Sequence, residues 1–358
     1  MIHTAELFHQ TNLRLYKQFN NLASTNFHEQ KELLVNNSLD KNGLNLTAKI
    51  YHTSSGISYA QFTLIVNFRQ ATEKHKTIKL YEPKDFAITA ERFNILLQRL
   101  LPGLPDFNSW KVRRIDYAID ISTPYVKEYI HLLKKGAFPP HMDSIKANYH
   151  QRPGSLYLRS KSITVNYYDK EAQQLNQKAK GFSVPKLKLQ EAHNILRLEI
   201  QCHKSRTDYL KVKYAFEAKY LPYFLDPHIS FDVLEKPLRQ IAGTGDYVRK
   251  ATAFKKIDAS KYTHKTKEAL KDIINVVAVQ HSSVQKVHDE FVANGTMTSD
   301  AFKRHLKRFN ELDISPVVIG DKQKIEGKTL KEGLPCLYTQ LSEKFDKLQA
   351  DASADTSL

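Results

Sequence analysis

"SLYLRSKSITVNYYDKEAQ", residues 155–173, predicts a β-hairpin that runs directly into a helix. The chain is expected to turn at residues 159–162. The strand that follows alternates apolar and polar side chains, with the period of two that a half-buried strand shows. This alternation directs Tyr167 to the apolar face and Tyr168 to the polar face. The next three residues, Asp169-Lys170-Glu171, are polar and typical of a helix start.

The patterns on either side of this stretch predict an α+β fold. Strand, helix, hairpin, helix and strand follow one another, which favours a largely antiparallel sheet with flanking helices. After about residue 235 the strand patterns give way to helical ones. We therefore expect an α+β domain over residues 1–235, a smaller helical domain over residues 236–340 and a polar tail over residues 341–358.

Composition indicates a partner of opposite charge. The chain has 358 residues and a formal net charge of +16, which favours polyanions, with nucleic acid as the first candidate. Its two cysteines exclude a disulfide-based scaffold and suggest a reducing, cytoplasmic compartment. No apolar run approaches the length of a membrane span, so a membrane partner is not expected.

Two further strands carry acids on their polar faces. In "RRIDYAIDIS", residues 113–122, Asp116 and Asp120 share one face, and in "LRLEIQC", residues 196–202, Glu199 lies on the polar face. If these strands belong to one sheet with Tyr168, the carboxylates can hold Mg²⁺ or Mn²⁺. A tyrosine beside such a metal can attack phosphorus, with Lys170 assisting. Solvated acids, cross-strand ion pairs and packed tyrosines remain the alternatives.

Taken in chain order, "RRIDYAIDI" (residues 113–121), "SLYLRSKSITVNYYDKEAQ" (155–173) and "NILRLEIQCH" (194–203) resemble motifs of the replication initiators of the filamentous-phage gene II/X type. That family has plasmid-borne relatives that initiate rolling-circle replication. The segment "YEPKDFAITAERFNILLQRLLPGL", residues 81–104, is also similar to the corresponding segment of plasmid and phage members. The resemblance covers about residues 40–215. It implies that residues 1–235 form a DNA nicking and joining domain in the cytoplasm of a bacterial host.

The resemblance assigns roles to individual residues. The family's tyrosine-x-lysine nicking motif falls on Tyr168 and Lys170. The aspartate of the family's RID motif falls on Asp116, and the glutamate of its R-L/F-E strand falls on Glu199, which implies that both are metal ligands. Asp120 matches a second acid found in plasmid initiators of the transfer type, which implies a third ligand. The implied reaction leaves a 5′-phosphotyrosine and a free 3′-OH, and a second transfer closes the displaced strand.

The resemblance also implies partners. These are double-stranded origin DNA, single-stranded DNA, and a host helicase and polymerase. Arg114 and Arg197 can pair either with the carboxylates or with DNA phosphate. Whether the protein acts as a monomer or as a homodimer stays open.

A histidine-based metal site is not expected. Many rolling-circle nucleases use a histidine-hydrophobe-histidine pair, and none of the 15 histidines of this chain belongs to such a triplet. We therefore predict a carboxylate-based site, with most histidines in ordinary surface or loop positions.

The C-terminal helices suggest a second DNA contact. "SVQKVHDEFV", residues 283–292, and "SDAFKRHLKRFNEL", residues 299–312, resemble a helix-turn-helix. The second segment carries four basic residues around one side, which are Lys303, Arg304, Lys307 and Arg308. A solvated basic helix in a small bundle is the equal alternative.

Three rival functions remain. A non-enzymatic DNA-binding repressor or replication regulator would use the same charge without the tyrosine. A conjugative relaxase would perform similar chemistry but usually shows a histidine cluster. An RNA-binding module is less favoured, because no aromatic pattern of that class occurs.

Overall fold

The structure, a computed structural model, describes most of the chain and all of the motifs quoted for the site. The described residues are 1–23, 27–30, 33–36, 43–56, 58–72, 77–82, 86–139, 142–144, 154–279, 283–319, 324–325, 328–329 and 333–355. The strands are β1 (Ile2–Thr11), β2 (Phe27–Gln30), β3 (Leu33–Asn36), β4 (Leu44–His52), β5 (Ser58–Asn67), β6 (Lys111–Ser122), β7 (Asp143–Ser144), β8 (Ser155–Arg159), β9 (Ile163–Asp169), β10 (Ile195–Cys202), β11 (Lys324–Ile325) and β12 (Lys328–Thr329). The helices are α1 (Leu13–Ala23), α2 (Phe68–Thr72), α3 (Phe86–Leu100), α4 (Val126–Leu133), α5 (Lys170–Ala179), α6 (Lys186–Ala192), α7 (Lys204–Lys213), α8 (Pro227–Ala242), α9 (Lys250–Ala259), α10 (His264–Ala278), α11 (Val284–Ala293), α12 (Ser299–Glu311) and α13 (Leu337–Asp355).

One ten-stranded sheet organises the molecule, with the order β2-β3-β4-β5-β1-β6-β10-β9-β8-β7. All neighbouring pairs in it are antiparallel. The α+β class and the largely antiparallel sheet are therefore confirmed. The predicted hairpin is also confirmed, since β8 pairs with β9 and α5 begins at Lys170. Consequently β6, β10 and β9 lie side by side, as the candidate site requires.

The apolar face of this sheet forms the core. Tyr117, Leu198 and Tyr167 lie on it at 0–1% exposure. Helices cover this face: Phe19 of α1 packs edge-on against Phe62 of β5 at 5.3 Å between ring centroids. The Tyr117 hydroxyl donates to the backbone oxygen of Phe224 at 2.9 Å. Because the helices take the apolar face, the other face remains for polar side chains.

The predicted domain boundary at residue 235 lies inside a helix. Helix α8 runs through it and packs against β6 and β10. Its buried residues Ile229, Val233 and Leu238 belong to the same hydrophobic cluster as the sheet. The change in pattern near residue 235 is real, but it marks the end of the sheet strands within one continuous core.

The predicted polar tail over residues 341–358 is wrong for most of its length. Helix α13 continues to Asp355, and residues 356–358 lie outside the described part. Leu337, Leu341 and Phe345 are buried along one helical stripe. Phe345 also stacks on Phe231 of α8 at 4.3 Å between ring centroids. These apolar residues at intervals of four dock the helix, although its last residues are polar.

Both C-terminal segments form the helices that their periodicity predicts. Helices α11 and α12 are joined by residues 294–298, where Gly295 adopts a φ of 73°. That value lies in the left-handed region that glycine occupies without strain. None of the helices in the described ranges is both long enough and apolar enough to cross a bilayer.

Candidate functional site

The register of three central strands brings the predicted acids together. Opposite Asp116 of β6 lies Gln201 of β10, and opposite Ala118 lies Glu199. Asp116 and Glu199 are therefore diagonal neighbours on the polar face, on adjacent strands. Ala118, which lies opposite Glu199, has a small side chain and is fully buried. The prediction that these two carboxylates converge is confirmed.

The predicted set of carboxylates is incomplete, because one histidine, His3, joins the two acids. Across the pairing of β1 with β6, Ile2 lies opposite Tyr117, whereas Thr4 lies opposite Asp116. His3 is therefore an extra residue in β1, that is, a β-bulge. Bulges interrupt the alternation of a strand and redirect a side chain, often beside an active site. Here the bulge brings the imidazole of His3 next to the two acids.

His3, Asp116 and Glu199 lie close enough together to contact one metal ion. One ligand atom from each lies within 4.8 Å of the other two. His3 Nδ1 lies 3.7 Å from Glu199 Oε2. Both acids are buried, and the His3 side chain is 28% exposed. Two carboxylates with one imidazole suit a divalent cation, and the nitrogen ligand favours Mn²⁺ over Mg²⁺, which prefers oxygen ligands alone.

The charges and protonation states of the cluster are compatible with a bound cation. Burial raises the pKa of Asp116 to about 7; the Arg114 guanidinium opposes this shift, and the Glu199 carboxylate adds to it. Arg114 donates to both Asp116 oxygens, at 3.0 and 3.3 Å. Desolvation lowers the pKa of His3 to about 4, so its imidazole is neutral at pH 7 and free to act as a ligand.

Tyr168 is hydrogen-bonded to the same cluster. Its hydroxyl donates to Glu199 Oε2 at 3.0 Å, and its side chain is buried at 5% exposure. Burial, and then the negative charge of Glu199, hold the pKa of Tyr168 well above its usual value. A cation beside Glu199 would offset the negative charge of that carboxylate and so lower the pKa of Tyr168.

Tyr167 lies on the other face, as parity predicts. It is fully buried, and burial alone raises its pKa. Its hydroxyl has no hydrogen-bond partner among the residues that the structure describes. Tyr167 is therefore a core residue, and only Tyr168 of the adjacent pair reaches the acids.

Lys170 lies close to Tyr168 at the start of α5. Asp169 caps this helix, accepting from the backbone nitrogen of Ala172 at 3.0 Å. The Lys170 ammonium lies 5.5 Å from the centroid of the Tyr168 ring and donates to Gln173 Oε1 at 2.8 Å. Burial, followed by the positive charge of Arg197, lowers the pKa of Lys170 to about 7. Near neutral pH this amine can both donate and accept a proton.

Asp120, the third predicted ligand, lies outside the cluster. It is directly opposite Arg197, which donates to its two oxygens at 2.6 and 2.7 Å. Arg197 also donates to the backbone oxygen of Ile78 at 2.5 Å. Its side chain is 1% exposed, so of its two predicted roles the structure shows carboxylate pairing and not a DNA-facing position. The Arg197–Asp120 ion pair links β6 to β10 at the border of the site.

The basic residues of α12 lie on the helix surface. Lys303, Arg304 and Lys307 are exposed, while Phe302 and Phe309 are buried. Arg308 is half-buried, with its guanidinium 5.5 Å from the centroid of the Tyr262 ring. Of the four predicted DNA-contacting residues on α12, three are therefore exposed to solvent and the fourth packs against the protein.

One signal in the sequence points to the bulge. In "MIHTAELF", Ala5 and Leu7 are two residues apart, but Ile2 is three residues from Ala5. All three are buried, so the alternation shifts by one residue at His3.

Comparison with known proteins finds no relative: no family model, no curated protein and no solved structure matches this chain.

Proposed function

We propose that this protein is a metal-dependent DNA strand transferase that nicks one strand through Tyr168 and initiates rolling-circle replication. The observation that carries the proposal is the hydrogen bond from the Tyr168 hydroxyl to Glu199 Oε2, because Glu199 also belongs to the cluster with His3 and Asp116. A nucleophile that is hydrogen-bonded to a candidate metal ligand suits metal-assisted phosphoryl transfer to tyrosine. The motif resemblance supports the same reaction.

His3, Asp116 and Glu199 are the residues that would hold Mn²⁺ or Mg²⁺. When bound, the cation would polarise the scissile phosphate and offset the charge that develops on its oxygens. Arg114 keeps Asp116 oriented through its paired hydrogen bonds. Gln201 does the same for Glu199, donating to Oε1 at 3.0 Å.

The transfer balances with groups at the site. The Tyr168 oxygen forms a bond to phosphorus as the bond from phosphorus to the 3′ oxygen breaks. The phenolic proton passes to Glu199 Oε2, which already accepts its hydrogen bond. The leaving 3′ oxygen takes a proton from Lys170, whose pKa of about 7 suits a general acid at neutral pH. The products are a 5′-phosphotyrosine and a free 3′-OH.

DNA contact is proposed for two surfaces. The net charge of +16 attracts the backbone, and the exposed Lys303, Arg304 and Lys307 of α12 suit a duplex origin. The polar face of the sheet receives the single strand that is cut. A host helicase would then unwind the duplex, and a host polymerase would extend the 3′-OH that nicking leaves.

A nicking assay on supercoiled DNA that carries the cognate origin tests the proposal. We expect Mn²⁺-dependent nicking, loss of nicking with EDTA, and a protease-sensitive protein–DNA adduct. Tyr168→Phe should reduce nicking by at least about 10³-fold, because it removes the nucleophile. Tyr167→Phe is the matched control and should nick like the wild type. Origin binding without an adduct would favour the rival regulator, and full activity of Tyr168→Phe would refute the assignment.

A further inference from the structure

We propose that Tyr157 is the second nucleophile, which cuts the displaced strand so that it can be closed. This inference rests on the proposed function. Once Tyr168 is bonded to a 5′ phosphate, it cannot attack a second phosphodiester. Closing the displaced strand needs a new 3′-OH, and therefore a second cleavage by another group. The polar face of the sheet offers a tyrosine for this step.

Strand register places Tyr157 in the same row as Glu199. Tyr157 of β8 lies opposite Asn166 of β9, and Asn166 lies opposite Glu199 of β10. Side chains in such a row across a sheet point to the same face. Two strand spacings separate Tyr157 from Glu199, which is about 10 Å between their backbones. A tyrosine side chain is long enough to cover much of that distance.

The nicking tyrosine leans toward this row. Tyr168 lies opposite Arg197 and Ser155, one step along the sheet. Its hydroxyl nevertheless bonds to Glu199, so the ring is inclined along the strand toward the row of Glu199, Asn166 and Tyr157. Tyr157 and Tyr168 are diagonal neighbours on adjacent strands, a spacing of about 7–8 Å that aromatic side chains bridge. Both hydroxyls can therefore meet phosphates held at one site.

The exposure and hydrogen bonding of Tyr157 are those of a side chain that is accessible to substrate. Its neighbours Leu156 and Leu158 are fully buried on the apolar face, which fixes the strand, whereas Tyr157 is half-buried on the polar face. Its hydroxyl makes no hydrogen bond to another residue in the described ranges, unlike that of Tyr168. Within the described parts of β6, β8, β9 and β10, these are the two tyrosines on the polar face.

The two cleavages and the closure balance without a nucleotide cofactor. The Tyr157 oxygen bonds to phosphorus at the second nick site, the bond from that phosphorus to the 3′ oxygen breaks, and the phenolic proton of Tyr157 ends on that oxygen as a 3′-OH. The freed 3′-OH then attacks the phosphorus held by Tyr168. A new phosphodiester forms as the bond from Tyr168 to phosphorus breaks, and the phenol regains a proton. One circle is released, and the other strand end stays on Tyr157.

The test uses single-stranded DNA with two directly repeated copies of the nick sequence mapped with the wild-type protein. Wild type should excise the segment between the copies as a closed circle. Tyr157→Phe keeps the ring but removes the hydroxyl. We expect it to lower the ratio of circles to covalent protein–DNA adducts by about 100-fold or more. Peptide mapping should find DNA on Tyr157 and Tyr168 in the wild type. Tyr59→Phe, on β5 of the same sheet, is the control and should leave the ratio unchanged.

Each outcome decides one question. Circles from Tyr157→Phe at the wild-type ratio would overturn the role of Tyr157. So would a variant that forms no adduct at all, because Tyr157 would then act before closure. Circle formation that rises with the square of protein concentration, with DNA mapped only to Tyr168, would assign closure to a second copy and also overturn it. Absence of any adduct with the wild type would instead refute the proposed function.

Discussion

Tyr167 and Tyr168 are adjacent in the chain, yet they belong to two different regions of the molecule. Both are buried, at 0% and 5% exposure, and both have a raised pKa. Tyr167 owes its shift to the apolar core alone, whereas Tyr168 also feels the carboxylate to which it donates. Burial therefore does not distinguish a site from a core. The distinction comes from the face of the sheet, and from the charged groups that share it.

The largest expected effect comes from breaking the charge pair on the polar face. Arg197→Met leaves Asp120 partly buried without its partner, which should lower the free energy of unfolding by about 3–5 kcal/mol. Chemical denaturation measures this loss. The double variant Arg197→Met, Asp120→Leu is the control and should recover most of the stability, because no charge is left unpaired. An unchanged midpoint in the single variant would show that the pair does not hold the sheet.

The next effect depends on pH and concerns Lys170. Its pKa falls from 10.5 to about 7 on folding, so between these values the unfolded chain binds more protons than the folded one. The contribution of Lys170 to the free energy of unfolding should therefore rise with pH across this window. At pH 7 and below, the wild type should be least stable in comparison with Lys170→Met. The stability difference between the two proteins should shrink by a few kcal/mol from pH 7 to pH 10. Urea titrations at several pH values measure it, and a constant difference would contradict the buried, neutralised amine.

A smaller effect sharpens the metal assignment. His3→Ala should weaken Mn²⁺ binding by about 10- to 100-fold and Mg²⁺ binding less, because imidazole is the nitrogen ligand of the cluster. Calorimetric titration with each ion measures both affinities. His9→Ala, on the same strand but outside the cluster, is the control. Equal losses for both ions, or none, would remove His3 from the site.

The smallest effect lies on the apolar face. Tyr167→Phe removes a buried hydroxyl that has no partner in the described part of the chain. Its free energy of unfolding should stay within about 1 kcal/mol of the wild type, or rise slightly. A marked loss of stability, measured by thermal unfolding, would mean that the Tyr167 hydroxyl makes a stabilising hydrogen bond in the folded protein.

Much of this contrast could be predicted from periodicity. Alternation along single strands was enough to separate Tyr167 from Tyr168 and to place Asp116 and Glu199 on one face. It could not predict that Asp120 pairs with Arg197, because that depends on which residues of two distant segments lie opposite each other. Nor did it reveal His3, since a bulge breaks the very alternation on which the prediction relied. The small, polar end of α13, "DASADTSL", resembles a frayed tail, although Leu337, Leu341 and Phe345 before it recur at helical spacing.

Mapping the covalent adduct tests the central claim most directly. The wild-type protein would be incubated with origin DNA and Mn²⁺, digested with nuclease and protease, and examined by mass spectrometry for a nucleotide-bearing peptide. After the first cleavage, we expect a 5′-phosphonucleotide on Tyr168 and none on Tyr167. A nucleotide on Tyr167, or adduct formation in Tyr168→Phe at the wild-type level, would contradict it.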